Sequence, residues 1–157
     1  MNILRIASVL LVAFTIAACS GNQPTPLPEM TVWKSPSCGC CAKWIQHLQS
    51  SGFTIKVIDE PAMSPLKSSL GIAPEHQSCH TAKVGNYLVE GHVPAADILR
   101  LLQEKPAIIG LTVPGMPVGS PGMEMGDRFD PFDVIAIVSS SEQRVFARHD
   151  SADWETH

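Results

Sequence analysis

The chain is short of positive charge: 11 lysines and arginines stand against 15 aspartates and glutamates, for a formal net charge of −4. They form no basic patch, which excludes nucleic acid as a partner, because phosphate recognition needs a concentrated cationic surface. The chain also lacks an apolar run of spanning length: Ile6 to Ala18 offers about 13 residues against the roughly 20 that a transmembrane helix needs. Separated cysteine pairs are missing as well. Of the five cysteines, Cys38, Cys40 and Cys41 crowd together, and such short loops gain little entropic stabilisation when closed by disulfides. A structural zinc usually draws on two separated knuckles, and only one is present.

What the apolar run does supply is an address. Arg5 makes a small positive region, Ile6 to Ala18 an apolar one, and Ile16-Ala17-Ala18-Cys19 a small-residue cleavage site ending in cysteine. The pattern resembles a bacterial lipoprotein signal peptide over residues 1–18, with Cys19 as the lipidated residue. Loss of Arg5 takes the net charge from −4 to −5. Residues 19–29, with Pro24, Pro26 and Pro28, read as a flexible tether too proline-rich to pack. Residues 30–149 are expected to form one domain, followed by a frayed tail over residues 150–157; about 125 residues suffice for one core. The expected location is the periplasmic side of a bacterial envelope, and Ser20 after Cys19 favours the outer membrane.

The domain is organised around Ser35-Pro36-Ser37-Cys38-Gly39-Cys40-Cys41. Before it, Met30 to Lys34 reads as a strand from its β-branched and aromatic residues. After it, Cys41, Trp44, Ile45 and Leu48 recur at helical spacing and Gly52 ends the helix. Ser35 is the expected N-cap and Pro36 the first helical residue. The cysteines would then sit at the positive end of the helix dipole, which lowers a thiol pKa.

Phe53 to Asp59 alternates as a second strand, parallel to the first across the helix. Pro65 to Leu70 is a short helix, and His80–Val84 with Tyr87–Glu90 is a hairpin about Gly85-Asn86. Pro94 to Glu104 is an amphipathic helix. A C-x-x-C motif after the first strand of β-α-β-α-β-β-α resembles a thioredoxin-like α/β fold. The proline that such folds usually carry before the third strand is replaced here by Ser78-Cys79-His80. In that fold Cys79 would face the Cys38–Cys41 loop and complete a four-thiol pocket. Thr112 to Asp127, rich in glycine and proline, reads as a loop. Phe132–Ser139 and Val145–Arg148 would add a C-terminal hairpin.

Soft thiolate and thioether donors select Cu(I), while imidazole suits both copper oxidation states and zinc. Cys38, Cys40, Cys41 and Cys79 are therefore candidate metal ligands, and adjacent Cys40 and Cys41 suit a cluster of several soft ions better than one tetrahedral ion. Disulfide exchange, with Cys38 as nucleophile and Cys41 as resolving thiol, is the alternative. A structural zinc and a passive domain with all cysteines oxidised stay open behind it. Met116, Met123 and Met125 are candidate ligands on the loop, the last two reaching one side if Met-x-Met is strand-like. His80 is the histidine expected to join the site. His47 should face solvent, His76 and His92 should be structural, and His149 and His157 belong to the tail. Trp33 and Trp44 flank the motif and could shield it.

Four stretches in order, Lys34 to Trp44, Ser78 to Ala82, Val89 to Ala95 and Val113 to Met125, resemble the CopG-type copper-resistance proteins of bacterial periplasms. The resemblance implies a thioredoxin-like domain with a multinuclear Cu(I) cluster on Cys38, Cys40, Cys41 and Cys79. It further implies a role in copper handling or in interconverting Cu(I) and Cu(II), which leaves open whether the protein is an oxidoreductase, and partners among copper efflux and periplasmic copper-carrier proteins.

Overall fold

The computed structural model describes residues 26–151, so the signal segment, Cys19, most of the tether and His157 lie outside the described residues. Strand β1 (Met30–Lys34) leads into helix α1 (Gly39–Ser50), β2 (Ile55–Asp59) and α2 (Met63–Ser69). A 3-10 turn at Pro74–His76 precedes β3 (His80–Val84), β4 (Tyr87–Glu90) and α3 (Ala95–Glu104). Three strands close the fold: β5 (Gly110–Thr112), β6 (Phe132–Ile137) and β7 (Gln143–His149). Among the described residues no helix is long and apolar enough to cross a membrane.

All seven strands join one mixed sheet in the order β2-β1-β3-β4-β5-β6-β7, with β1–β2 and β4–β5 parallel and the other neighbours antiparallel. The strand register explains the core. Val32, Ala82, Val89, Leu111 and Ala136 are successive cross-strand partners, and all five are fully buried. The row runs out at both edges, where Val57 on β2 is 44% exposed and Arg144 on β7 is exposed.

Helix α1 covers the same face as this row. Trp44, Ile45 and Leu48 are buried, and the Trp44 ring lies 4.2 Å from that of His80, two residues from Ala82 and so on the same side of β3. Helix α3 lies beside α1, since Ala95 N–H donates to Nε2 of His47. Lys67 of α2 instead bonds Thr81, which points the other way, so α2 covers the opposite face.

The expected elements are present, with differences that have physical causes. The N-cap of α1 is Cys38, whose Sγ accepts from the Cys41 N–H, and Ser35-Pro36-Ser37 form a turn ahead of it. The Cys38 sulfur takes the capping role expected of the Ser35 hydroxyl. Strand β5 falls at the edge of what was expected to be loop and is only three residues long. Gly110 is required there, because a Cβ would stand 1.9 Å from the Leu88 carbonyl oxygen. Leu27 packs against the core, so the end of the tether is not free of the domain. His149 is held at the end of β7, with Nε2 2.8 Å from Asp97 Oδ2 and its ring stacked on Phe132.

Candidate metal centre

The centre forms at one end of the sheet, where β1 ends, α1 begins and β3 starts. Lys34 and His80 are cross-strand partners, which fixes Cys79, one residue earlier, opposite the first turn of α1. Cys79 Sγ lies 3.6 Å from Cys41 Sγ and 3.9 Å from Cys40 Sγ, and Cys40 Sγ lies 3.4 Å from Cys38 Sγ. The four candidate sulfurs thus converge, all within 4.8 Å of one another. Cys38 and Cys41 are joined as a disulfide, while Cys40 and Cys79 are free thiols. The free thiols do not fit a passive domain with every cysteine oxidised.

Two histidines reach the same sulfur. Nδ1 of His80 is 3.2 Å from Cys79 Sγ, and Nε2 of His92 is 3.1 Å from it. Cys79, His80 and His92 therefore make a second group able to hold an ion. His80 was expected here; His92 was expected to be structural, and the structure places its Nε2 against the Cys79 sulfur. Nothing in the spacing of His92 marks it, because it is brought in by the β3–β4 hairpin. Its other ring nitrogen, Nδ1, is 2.8 Å from the Pro121 carbonyl oxygen. Such a carbonyl commonly orients a ligating imidazole.

Burial sets the charge state. The Cys79 thiol is pushed up to about 12 by its removal from water and then by neighbouring Cys40. The lowering expected at the helix N-terminus concerned Cys38, Cys40 and Cys41; Cys79 lies just before β3, and its loss of water dominates. His80 is held well below the ordinary histidine value by burial, by His92 and by Lys67. Burial lowers His92 too, partly offset by the Pro121 carbonyl and Glu124. Without a cation the pocket favours neutral imidazole, the ligating form, and a protonated thiol that a bound metal would displace to thiolate.

The loop after β5 closes over α1. Gly122, at φ +87°, is so near that a Cβ would meet the Cys40 carbonyl oxygen at 2.7 Å and the Trp44 nitrogen at 2.8 Å. Glu124 Oε1 accepts from the Gly122 N–H at 2.6 Å and braces this turn. Met116 and Met125 are 52% and 54% exposed, and Met123 is half-buried. The Met123-Glu124-Met125 segment is not a strand, since only Met125 forms an isolated bridge, to Arg128. His47 is half-buried and accepts the Ala95 N–H rather than facing solvent. His76 is buried, its carbonyl accepting from Thr112. Trp44 is fully buried, donates Nε1–H to the Val93 carbonyl at 2.9 Å and packs its ring against His80; Trp33 is only half-buried.

Behind Cys79 lies a polar cluster that the sequence did not announce. Lys67 and Glu90 form a buried ion pair. Glu90 Oε1 accepts the Ser78 N–H at 2.7 Å, and Glu90 Oε2 accepts the Thr81 hydroxyl at 2.6 Å. Lys67 donates to Thr81 Oγ1 at 2.8 Å. One carboxylate thereby holds the Ser78 backbone N–H on one side of Cys79-His80 and the Thr81 hydroxyl on the other.

This arrangement can be set beside known proteins. A solved structure of "Copper resistance protein copG", Form 1, is 46% identical, with 78% of this chain matched to 98% of that one at a TM-score of 0.74. This chain belongs to the CopG family. Form 2 of the same protein matches at 46% identity over 80% of this chain and 99% of that one, with a TM-score of 0.75. A family model described as "Protein of unknown function, DUF411" matches residues 76–123, the part of the chain that holds Cys79, His80, His92 and the Gly122 turn. No curated protein matches.

Proposed function

We propose that this CopG-family protein binds Cu(I) through its cysteine thiolates, as a multinuclear cluster serving copper resistance. The observation that carries the reading is the convergence of Cys38, Cys40, Cys41 and Cys79 from two separate elements on one pocket. Four thiolates are a soft donor set that selects Cu(I), and the adjacent Cys40 and Cys41 suit bridging of several ions. The strand order β2-β1-β3-β4 supports a thioredoxin-like core. His80 and His92 add imidazoles that serve both copper oxidation states, which supports interconversion of Cu(I) and Cu(II). Met116 and Met125, exposed on the covering loop, offer soft donors through which a copper-carrier or efflux protein could exchange the metal. The reading places the protein on the periplasmic side of the envelope, anchored by lipid on Cys19 and favouring the outer membrane.

The test is anaerobic titration of the reduced protein with Cu(I) against a competing chelator, beside Cys79→Ser. More than one retained copper per chain, weakened by the substitution, is expected. No retention by the reduced protein overturns the reading.

The Cys38–Cys41 disulfide favours a second reading, a tethered thiol-disulfide oxidoreductase in which Cys38 attacks and Cys41 resolves. It predicts rapid reduction of a test disulfide that survives Cys79→Ser.

A further inference from the structure

The two donor groups share Cys79 but respond differently to oxidation of the Cys38–Cys41 pair. Closing the disulfide removes two of the four thiolates from the cysteine group. It removes nothing from Cys79, His80 and His92, whose donor atoms remain within 4.8 Å of one another. That second group is built as a ligand site. Nε2 of His92 is aimed at Cys79 while Nδ1 faces the Pro121 carbonyl, as the outer nitrogen of a ligating histidine commonly does. Nδ1 of His80 approaches the same sulfur from β3, with Trp44 packed against its ring.

We infer that the Cys38–Cys41 disulfide selects which metal site the protein presents: closed, a single-copper site of Cys79, His80 and His92; open, the multinuclear thiolate cluster. The inference rests on the copper reading above and adds its regulation. Two nitrogens and one sulfur make a harder, smaller donor set than four thiolates, so the selector changes both the number of ions and their ligand environment. Opening consumes two electrons and two protons. A dithiol supplies them by exchange: the Cys38–Cys41 S–S bond breaks to two thiols as the donor's two thiols become a disulfide.

The test compares two forms of the full-length protein. One is isolated with the disulfide intact. The other is reduced with a trialkylphosphine, which takes up oxygen from water as it delivers the two electrons, and is then freed of reagent anaerobically. Thiol counting verifies each state, and each is titrated with Cu(I) against a chromogenic chelator. The disulfide form is expected to retain one copper per chain with nitrogen and sulfur neighbours by X-ray absorption. The reduced form should retain more than one, with mainly sulfur neighbours. His92→Asn should weaken the single copper of the disulfide form roughly tenfold or more, and Cys38→Ser with Cys41→Ser should hold one copper whatever the reductant. Equal copper in both wild-type forms overturns the selector, as does a disulfide form that retains none while the reduced form retains several; both leave the copper reading standing. A reduced form that binds no copper overturns both.

Discussion

Cys79 Sγ lies 3.1 Å from Nε2 of His92, thirteen residues further along the chain and across the β3–β4 hairpin. The contact ties the β3 side of the metal centre to the loop that covers it, because the same imidazole faces Pro121 through Nδ1. Cys79 is also the one residue common to both donor groups. Cys79→Ser should therefore reduce copper retention by both redox forms at least tenfold. Stability should change little, by about 1 kcal/mol or less, since a half-buried thiol is exchanged for a hydroxyl of similar shape. Chelator competition and thermal unfolding on the same samples read the two effects separately.

The Lys67–Glu90 pair makes a different prediction. Both side chains are buried, so Glu90→Ala strands the ammonium and frees the Ser78 N–H and Thr81 hydroxyl together. A cost of about 3–5 kcal/mol is expected from breaking such a pair. Replacing both residues with apolar ones should cost less than the sum of the single changes. A double-mutant cycle in urea measures this; strict additivity would show that the pair does not act as a unit.

Gly122 combines a left-handed backbone with the closest approach of the loop to α1. Gly122→Ala incurs about 1–2 kcal/mol of backbone strain and drives a methyl into the Cys40 carbonyl and the Trp44 nitrogen. The loop should lift, taking the Pro121 carbonyl from His92. Faster loss of copper to a chelator is the expected readout. An unchanged release rate would mean that the loop does not retain the metal.

Acid should destabilise the metal-free protein. His80 and His92 are both depressed by burial below the ordinary value of 6.5. The unfolded chain then binds more protons than the folded one, so stability is fully present above pH 6.5 and falls as the pH drops towards the folded-state values. The slope approaches about 1.4 kcal/mol per pH unit for each histidine that charges only on unfolding. Thermal unfolding between pH 7.5 and 5.5 checks the direction, and His80→Phe should flatten the curve.

Much of the fold was legible because its signals are local. Strands β1, β3 and β4 have the bounds that alternation and turn residues indicate, and the apolar face of α1 is the one its helical spacing defines. Strand β5 was not legible: three residues carry no period, and what places them is the fit of Gly110 against Leu88. The cap of α1 was misplaced because a serine before a proline is the stronger local signal, whereas the actual cap is the Cys38 sulfur.

By itself the sequence determined the chemistry at the head of α1. Three cysteines within one loop and helical turn must lie close together in any fold that forms that helix, and Cys79-His80 at the start of a strand needs only the β1–β3 pairing to join them. Only the tertiary structure decided what surrounds those sulfurs. His92 arrives through a hairpin register, Pro121 and Gly122 through a loop docked on α1, and Lys67 reaches Glu90 of β4 from a helix packed on the far face. Each depends on distances between residues remote in sequence, which residue type and spacing do not encode. The same long-range packing buries His80 and Cys79, and so sets the charge they carry before a metal arrives.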